Sequence, residues 1–334
     1  MLDVSLAAWA LTVAVIVGLL ALDLLRSGGK RAHAVGFREA AWWSVFYIAV
    51  AIAFGVVFGF LAGWDYGTEY FAGYIVEKSL SVDNLFVFVI IMATFAVPAE
   101  HQQKVLTIGI VGALVLRAIF IALGAALIST FSFMFLVFGL LLIGTAIQLF
   151  RHRDEDPSVE DNALVAFARR RFPITDDYHG GSFVTRVGGR RMLTPMFLVL
   201  LAIATTDILF ALDSIPAVFG VTEEAYIVFV ANAFALLGLR ALYFLVSGLL
   251  DRLVYLSIGL SLILAFIGGK LVLHYGHTLD DAVPEVSTGV SLIVIGVVLT
   301  ITVVASIAKT RRDPTAKAHA GTLREPRRRD GEGG

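Results

Sequence analysis

An all-α integral membrane protein with about nine spanning helices is the fold class this sequence predicts, on three observations. The 334 residues are 58% hydrophobic and only 16% charged, where a soluble domain is nearer one quarter charged. Apolar runs of about 20 residues, the length a helix needs to cross the hydrocarbon core, recur along the chain. The charges gather in the gaps between those runs, and basic gaps alternate with acidic or neutral ones. Mean hydropathy is +0.85, and the net charge of −1 sums unlike parts. With no cysteine, a disulfide framework, thiolate metal ligands and a catalytic thiol are all excluded within these residues.

In order, the spans fall at about 6–25, 40–63, 70–96, 105–128, 132–150, 195–220, 225–247, 252–273 and 286–308. The first follows Asp3 instead of a basic stretch and stays apolar to Leu25, which reads as a span, not a cleavable leader. Arg26, Lys30, Arg31 and Arg38 come after it. The gap Trp64–Glu69 has no Lys or Arg, and Lys104 follows span three. The long segment 151–194 carries eight arginines; Glu223 and Glu224 follow span six, and Arg252 span seven. Asp280, Asp281 and Glu285 follow span eight, and the chain ends in a basic tail from Lys309. Basic gaps mark the cytoplasmic side, which puts the N-terminus outside and the C-terminus inside. An odd number of spans requires the same. The domain reading is therefore a transmembrane domain over 1–308 and a disordered basic cytoplasmic tail over 309–334. The loop 151–194 reads as a solvated linker or a surface for a cytoplasmic partner.

Two spans are anomalous. Span three contains Glu77-Lys78-Ser79-Leu80-Ser81-Val82-Asp83-Asn84, and span six contains Asp207-Ile208-Leu209-Phe210-Ala211-Leu212-Asp213-Ser214-Ile215-Pro216-Ala217. The stretches align without a gap: Glu77 with Asp207, Asp83 with Asp213, Asn84 with Ser214. The next span in each case carries a lone arginine before alanine, Arg117 and Arg240. This reads as a repeat, about 70–150 against 195–273, whose halves are inverted under the topology above. Inverted repeats with polar helices at their interface mark secondary transporters. Four carboxylates facing lipid would cost roughly 10 kcal/mol, so they must face one another, a cation or water.

Spacing constrains the geometry. Six residues turn an ideal helix by about 600°, so Glu77 and Asp83 diverge by about 120°, as do Asp207 and Asp213. Seven residues bring Glu77 into line with Asn84, and Asp207 into line with Ser214. Either the helices break locally, helped by Pro216 in span six, or each stretch serves two subsites. The donor set is all oxygen, which suits Mg²⁺, Ca²⁺ or Mn²⁺. The candidate metal ligands are Glu77, Asp83, Asn84, Asp207, Asp213 and Ser214, with Lys78, Arg117 and Arg240 as charge partners. Like carboxylates sharing a site also make proton exchange plausible. The alternative is a set of buried ion pairs that only hold helices together. Asn232 reads as a further site member or as a helix-to-helix hydrogen bond. Lys270, His274 and His277 read as solvated or snorkelling, and Gly55 with Gly59 and Gly268-Gly269 as close-packing positions. No P-loop, HExxH or nucleophile elbow is present, so no enzyme activity and no permanently bound cofactor is expected. No folded basic surface suggests nucleic acid.

At these two polar motifs the sequence resembles the TerC family of integral membrane proteins, over essentially all nine spans. The family takes in tellurite-resistance and Alx-like proteins and is related to the LysE-like exporters. The resemblance implies metal-ion handling, with Mn²⁺ export expected ahead of Ca²⁺ or Mg²⁺, and places the site at Glu77, Asp83, Asn84, Asp207, Asp213 and Ser214. The competing expectation is a non-transporting membrane anchor of a metal-stress or tellurite-resistance complex. Oligomeric state is not readable from these residues.

Overall fold

The computed structural model describes residues 2, 4–27, 37–153, 163–187, 189–246 and 253–313. The elements are α1 (Leu6–Ser27), α2 (Phe37–Ala62), α3 (Trp64–Thr94), α4 (Ala99–Thr130), α5 (Met134–Arg151), α6 (Ala163–Arg171), β1 (Val184–Val187), β2 (Arg190–Leu193), α7 (Pro195–Phe219), α8 (Ala225–Leu236), α9 (Leu239–Val246), α10 (Leu256–Leu279) and α11 (Thr288–Arg312). Eight segments among the described residues are long and apolar enough to cross a membrane: α1, α2, α4, α5, α7, α8 with α9, α10 and α11. The protein is a multi-pass membrane protein. The other long helix, α3, has 31 residues but is more polar, holding Asp65, Glu69, Glu77, Lys78 and Asp83.

α3 lies at the centre, against α2, α7, α8 and α11, while α4 packs on α7 and α8. Large apolar residues of α1, α2 and α11, such as Leu11, Phe60, Ile293 and Val304, stay exposed and form the surface that lipid covers. α5 and α10 meet at two glycines. A Cβ at Gly139 would stand 2.8 Å from the Gly268 carbonyl oxygen, and one at Gly268 would stand 2.8 Å from that of Gly139. Small residues let two backbones approach this closely, as the glycine pattern predicts.

Four features bear on the sequence reading. Span seven is broken: Leu237 is extended (φ −60°, ψ 134°) and Gly238 has φ +77°, separating α8 from α9. A Cβ at Gly238 would also lie 2.7 Å from the Tyr47 ring, so glycine is required on both counts. By contrast α3 and α7 run unbroken through their polar stretches, Pro216 included. The segment from Ala163 to Leu193 is not a solvated linker. Val165 and Ala168 of α6 are buried in the same core as Phe88, Met196 and Ile203, and β1 and β2 pair antiparallel. Last, α11 continues to Arg312, past the predicted limit at 308; the rest of the tail, 314–334, lies outside the described residues.

Candidate functional site

Arg117, on α4, is fully buried and is the largest such side chain. A guanidinium cannot give up its proton to escape the cost of burial, so its neighbours must compensate it. Nη1 is ion-paired with Glu77 of α3, and Nη2 is 3.5 Å from Asp207 Oδ1 of α7. Asn84 completes the set: its amide donates to the Leu80 carbonyl at 3.0 Å and accepts from Arg117 Nη2 at 2.8 Å. Glu77 and Asn84 thus reach one guanidinium from two turns of one helix, as a seven-residue separation allows. Three of the predicted ligands therefore meet, at a residue predicted as a charge partner. Glu77 and Asp207 are 0% and 1% exposed.

The remaining predicted positions disperse. Asp213 diverges from Asp207, as the angular arithmetic requires, and accepts a hydrogen bond from Thr145 Oγ1 of α5 at 2.9 Å. Ser214 is buried in line with Asp207, its hydroxyl without a partner among the described residues. The backbone of Asp83 belongs to α3, but its side chain lies outside the described residues. Lys78 does not neutralise the site; its Nζ donates to the Ala235 carbonyl of α8 at 3.0 Å. Arg240 does not either. It pairs with Asp23 of α1 at 3.1 Å, because the break at Gly238 carries α9 out of the position that α4 gives Arg117. The match of Arg117 with Arg240 in sequence is not a match in contacts.

Chemically, two carboxylates and one guanidinium carry a net charge of −1. A divalent cation and Arg117 would compete for the same two carboxylates, and only the cation neutralises both. Glu77 and Asp207 supply hard oxygen donors; among the described residues no group of three His, Asp or Glu is placed to hold a metal ion. Sequence reasoning missed Thr145, because an isolated threonine in an apolar helix gives no signal. Ser81 is buried with no hydrogen-bond partner among the described residues, and both amide atoms of Asn232 are in the same state, so the helix-to-helix hydrogen bond read for Asn232 is not seen among them.

A second polar cluster sits at the ends of α7 and α10. His274 holds Glu223 through Nε2 (3.1 Å) and Glu285 through Nδ1 (2.7 Å), and Thr222 donates to Glu69 at 2.6 Å. Lys270, only 9% exposed, lines the same cavity of about 540 Å³. His274, read as solvated or snorkelling, thus belongs to a built network, and Lys270 lines the cavity beside it. The hydrogen bond with His274 holds the Glu223 carboxyl below its usual range.

The family model described as "Integral membrane protein TerC family" matches residues 62–314. An uncharacterized membrane protein of Myxococcus xanthus is 42% identical over 312 residues, covering 93% of this chain and 95% of that protein. An uncharacterized membrane protein of Mycobacterium tuberculosis is 45% identical over 329 residues, covering 93% and 82%. An Escherichia coli protein named "Putative membrane-bound redox modulator Alx" is 37% identical over 273 residues, covering 79% and 85%. No solved structure matches the chain.

Proposed function

Because this chain belongs to the TerC family of integral membrane proteins, we propose that it is a secondary transporter that exports a divalent metal ion, Mn²⁺, through the site at Glu77 and Asp207. The observation that carries this reading is Arg117, a permanent cation held wholly inside a membrane protein between two carboxylates from helices α3 and α7. A purely structural pair would need one carboxylate. Two leave an excess negative charge in a low-dielectric setting, where it is costly unless a further cation balances it. In this proposal Arg117 is the counter-ion of the empty carrier, and the metal displaces it from Glu77 and Asp207. Protons are the proposed coupling ion, since a carboxylate that releases metal can take one up.

The printed name of the Escherichia coli relative suggests redox work, but this chain has no cysteine, so thiol–disulfide exchange has no group to act on here. One observation favours a second role beside transport. Helix α6 is folded onto α7 with Arg169, Arg170 and Arg171 exposed, a surface suited to an acidic cytoplasmic partner. The test of the main reading is Mn²⁺ flux into or out of proteoliposomes with a trapped Mn²⁺-sensitive dye. Wild type should show flux above protein-free vesicles, and Glu77→Gln or Asp207→Asn should abolish it. Equal flux in all three removes the proposed site.

A further inference from the structure

The cavity at the ends of α7 and α10 holds an arrangement that the carboxylate site does not use. Its walls come from separate parts of the chain. The link after α7 is pinned to α3, where the Thr222 hydroxyl donates to Glu69 at 2.6 Å. The link between α10 and α11 folds back on α10: His277 Nδ1 is 2.8 Å from the Val283 carbonyl oxygen, and a Cβ at Gly276 would stand 3.2 Å from the Val283 side chain. His274 joins these walls, with Glu223 on Nε2 at 3.1 Å and Glu285 on Nδ1 at 2.7 Å. The Thr288 hydroxyl also crosses between them, reaching the Val221 carbonyl at 3.4 Å. The Phe135 ring of α5 packs T-shaped on the imidazole, 4.6 Å between centroids.

The bridge depends on a proton. A neutral imidazole has one N–H donor and one bare nitrogen, and an ionised carboxylate only accepts. Carboxylates on both ring nitrogens are therefore both satisfied by the imidazolium, which donates from each. Taking one proton away sets a lone pair against a carboxylate oxygen on one side. The titratable groups around the ring are Glu69 and Tyr66 of α3, Glu224 of the α7–α8 link and Lys270 of α10, all lining the same cavity. His277 and, in the α10–α11 link, Asp280 and Asp281 flank it. Histidine is the side chain whose charge changes near neutral pH, while the carboxylates stay ionised above about pH 4.3.

We propose that His274 is a proton-dependent latch between the two walls: doubly protonated, it ties Glu223 to Glu285 and closes the cavity of about 540 Å³; on losing one proton it releases one carboxylate and the cavity opens. Glu69 in the cavity wall is eight residues, about 12 Å of α3, from Glu77, which places the latch at one end of the helices that hold the carboxylate site. The latch does not require the metal reading, and its test reads the cavity alone. Glu223 and Glu285 are about half exposed, so each contact is modest in water and the opening is expected to change several-fold, not by orders of magnitude.

The chain has no cysteine, so a single introduced thiol can be labelled without background. Leu271 lines the cavity and is 2% exposed; Thr278, on the same helix, is exposed. The experiment labels Leu271→Cys in the full-length protein in detergent with a water-soluble methanethiosulfonate, and divides the rate by that of Thr278→Cys to remove the thiolate fraction. Across the range from about pH 6 to about pH 9, which brackets the ordinary imidazole value, the ratio should rise about threefold or more. In His274→Gln, which has no second proton to lose, it should be high and flat. In His274→Lys, which keeps its charge and three donors over this range, it should be low and flat. A ratio independent of pH with His274 in place, or the same rise in His274→Gln, overturns the latch. Glu285→Gln decides the matter should those variants not fold. Its amide can accept from an N–H or donate to a bare nitrogen, so the bridge should hold in both states and the ratio stay low at every pH; a rise like that of the parent protein overturns the proposal.

Discussion

Replacing Arg117 by glutamine exposes the electrostatics of the site. The wild-type cluster holds Glu77, Asp207 and Arg117, net −1, with Arg117 fully buried. Arg117→Gln leaves −2 in the same space. Removing one partner of a buried ion pair costs about 3–5 kcal/mol, because the stranded charge has lost both water and its partner. Here two carboxylates are stranded, so the upper part of that range is expected. If a divalent cation takes the place of the guanidinium, it should restore stability to the variant by mass action, by about 2.7 kcal/mol at a concentration one hundred times its dissociation constant. The variant should also respond at lower Mn²⁺ than wild type, since nothing competes for the carboxylates. A charge-balanced control, Glu77→Gln with Arg117→Gln, returns the cluster to −1 and should recover much of the loss in EDTA. Thermal unfolding in detergent, followed by tryptophan fluorescence in EDTA and over a Mn²⁺ series, reads all three. Loss of the same size in EDTA and in saturating Mn²⁺, with no recovery in the double variant, would refute the idea that guanidinium and metal share one site.

Asp213 is held by Thr145 and stands apart from Arg117, so Asp213→Asn should weaken Mn²⁺ stabilisation by about tenfold less than Asp207→Asn, a difference of about 1.4 kcal/mol; equal losses would mean the two converge on one ion. Gly238→Ala should cost about 1–3 kcal/mol from its left-handed backbone before the Tyr47 contact is counted, and Tyr47→Ala beside it should recover only part; wild-type thermal stability in Gly238→Ala would show the break between α8 and α9 is not required. For pH, the folded-state pKa of Glu223 is depressed, chiefly by the hydrogen bond with His274. Its contribution is therefore present above the unfolded carboxyl value of about 4.3 and lost as pH falls through the folded value. The effect should be small, because the Glu223 side chain is 55% exposed and solvent screens it. An acid titration of unfolding temperature, unchanged by Glu223→Gln, would show that the bond contributes nothing.

The helices were legible because the bilayer imposes a length and an apolarity that few sequences meet by accident. Part of the site was legible too. A seven-residue step from Glu77 to Asn84 and a six-residue step from Asp207 to Asp213 fix which side chains can share a partner, and the contacts of Arg117 and Thr145 obey that arithmetic. What the sequence concealed is tertiary. Arg117 and Arg240 occupy matching motifs, yet Gly238, one glycine among 31, turns Arg240 toward Asp23. A single glycine in an apolar run has no distinctive local signal, since its left-handed backbone is set by the neighbours it must fit. The fold of 163–193 was hidden for a related reason: Val165 and Ala168 are too few to show a helical period against the surrounding arginines, and α6 packs on α7, far along the sequence.

The most direct measurement is Mn²⁺ flux in proteoliposomes containing wild type, Glu77→Gln or Asp207→Asn, each verified as folded. The account predicts saturable flux for wild type and none above protein-free vesicles for either variant. Wild-type flux in both variants, or no flux in wild type under any imposed pH gradient, would contradict it.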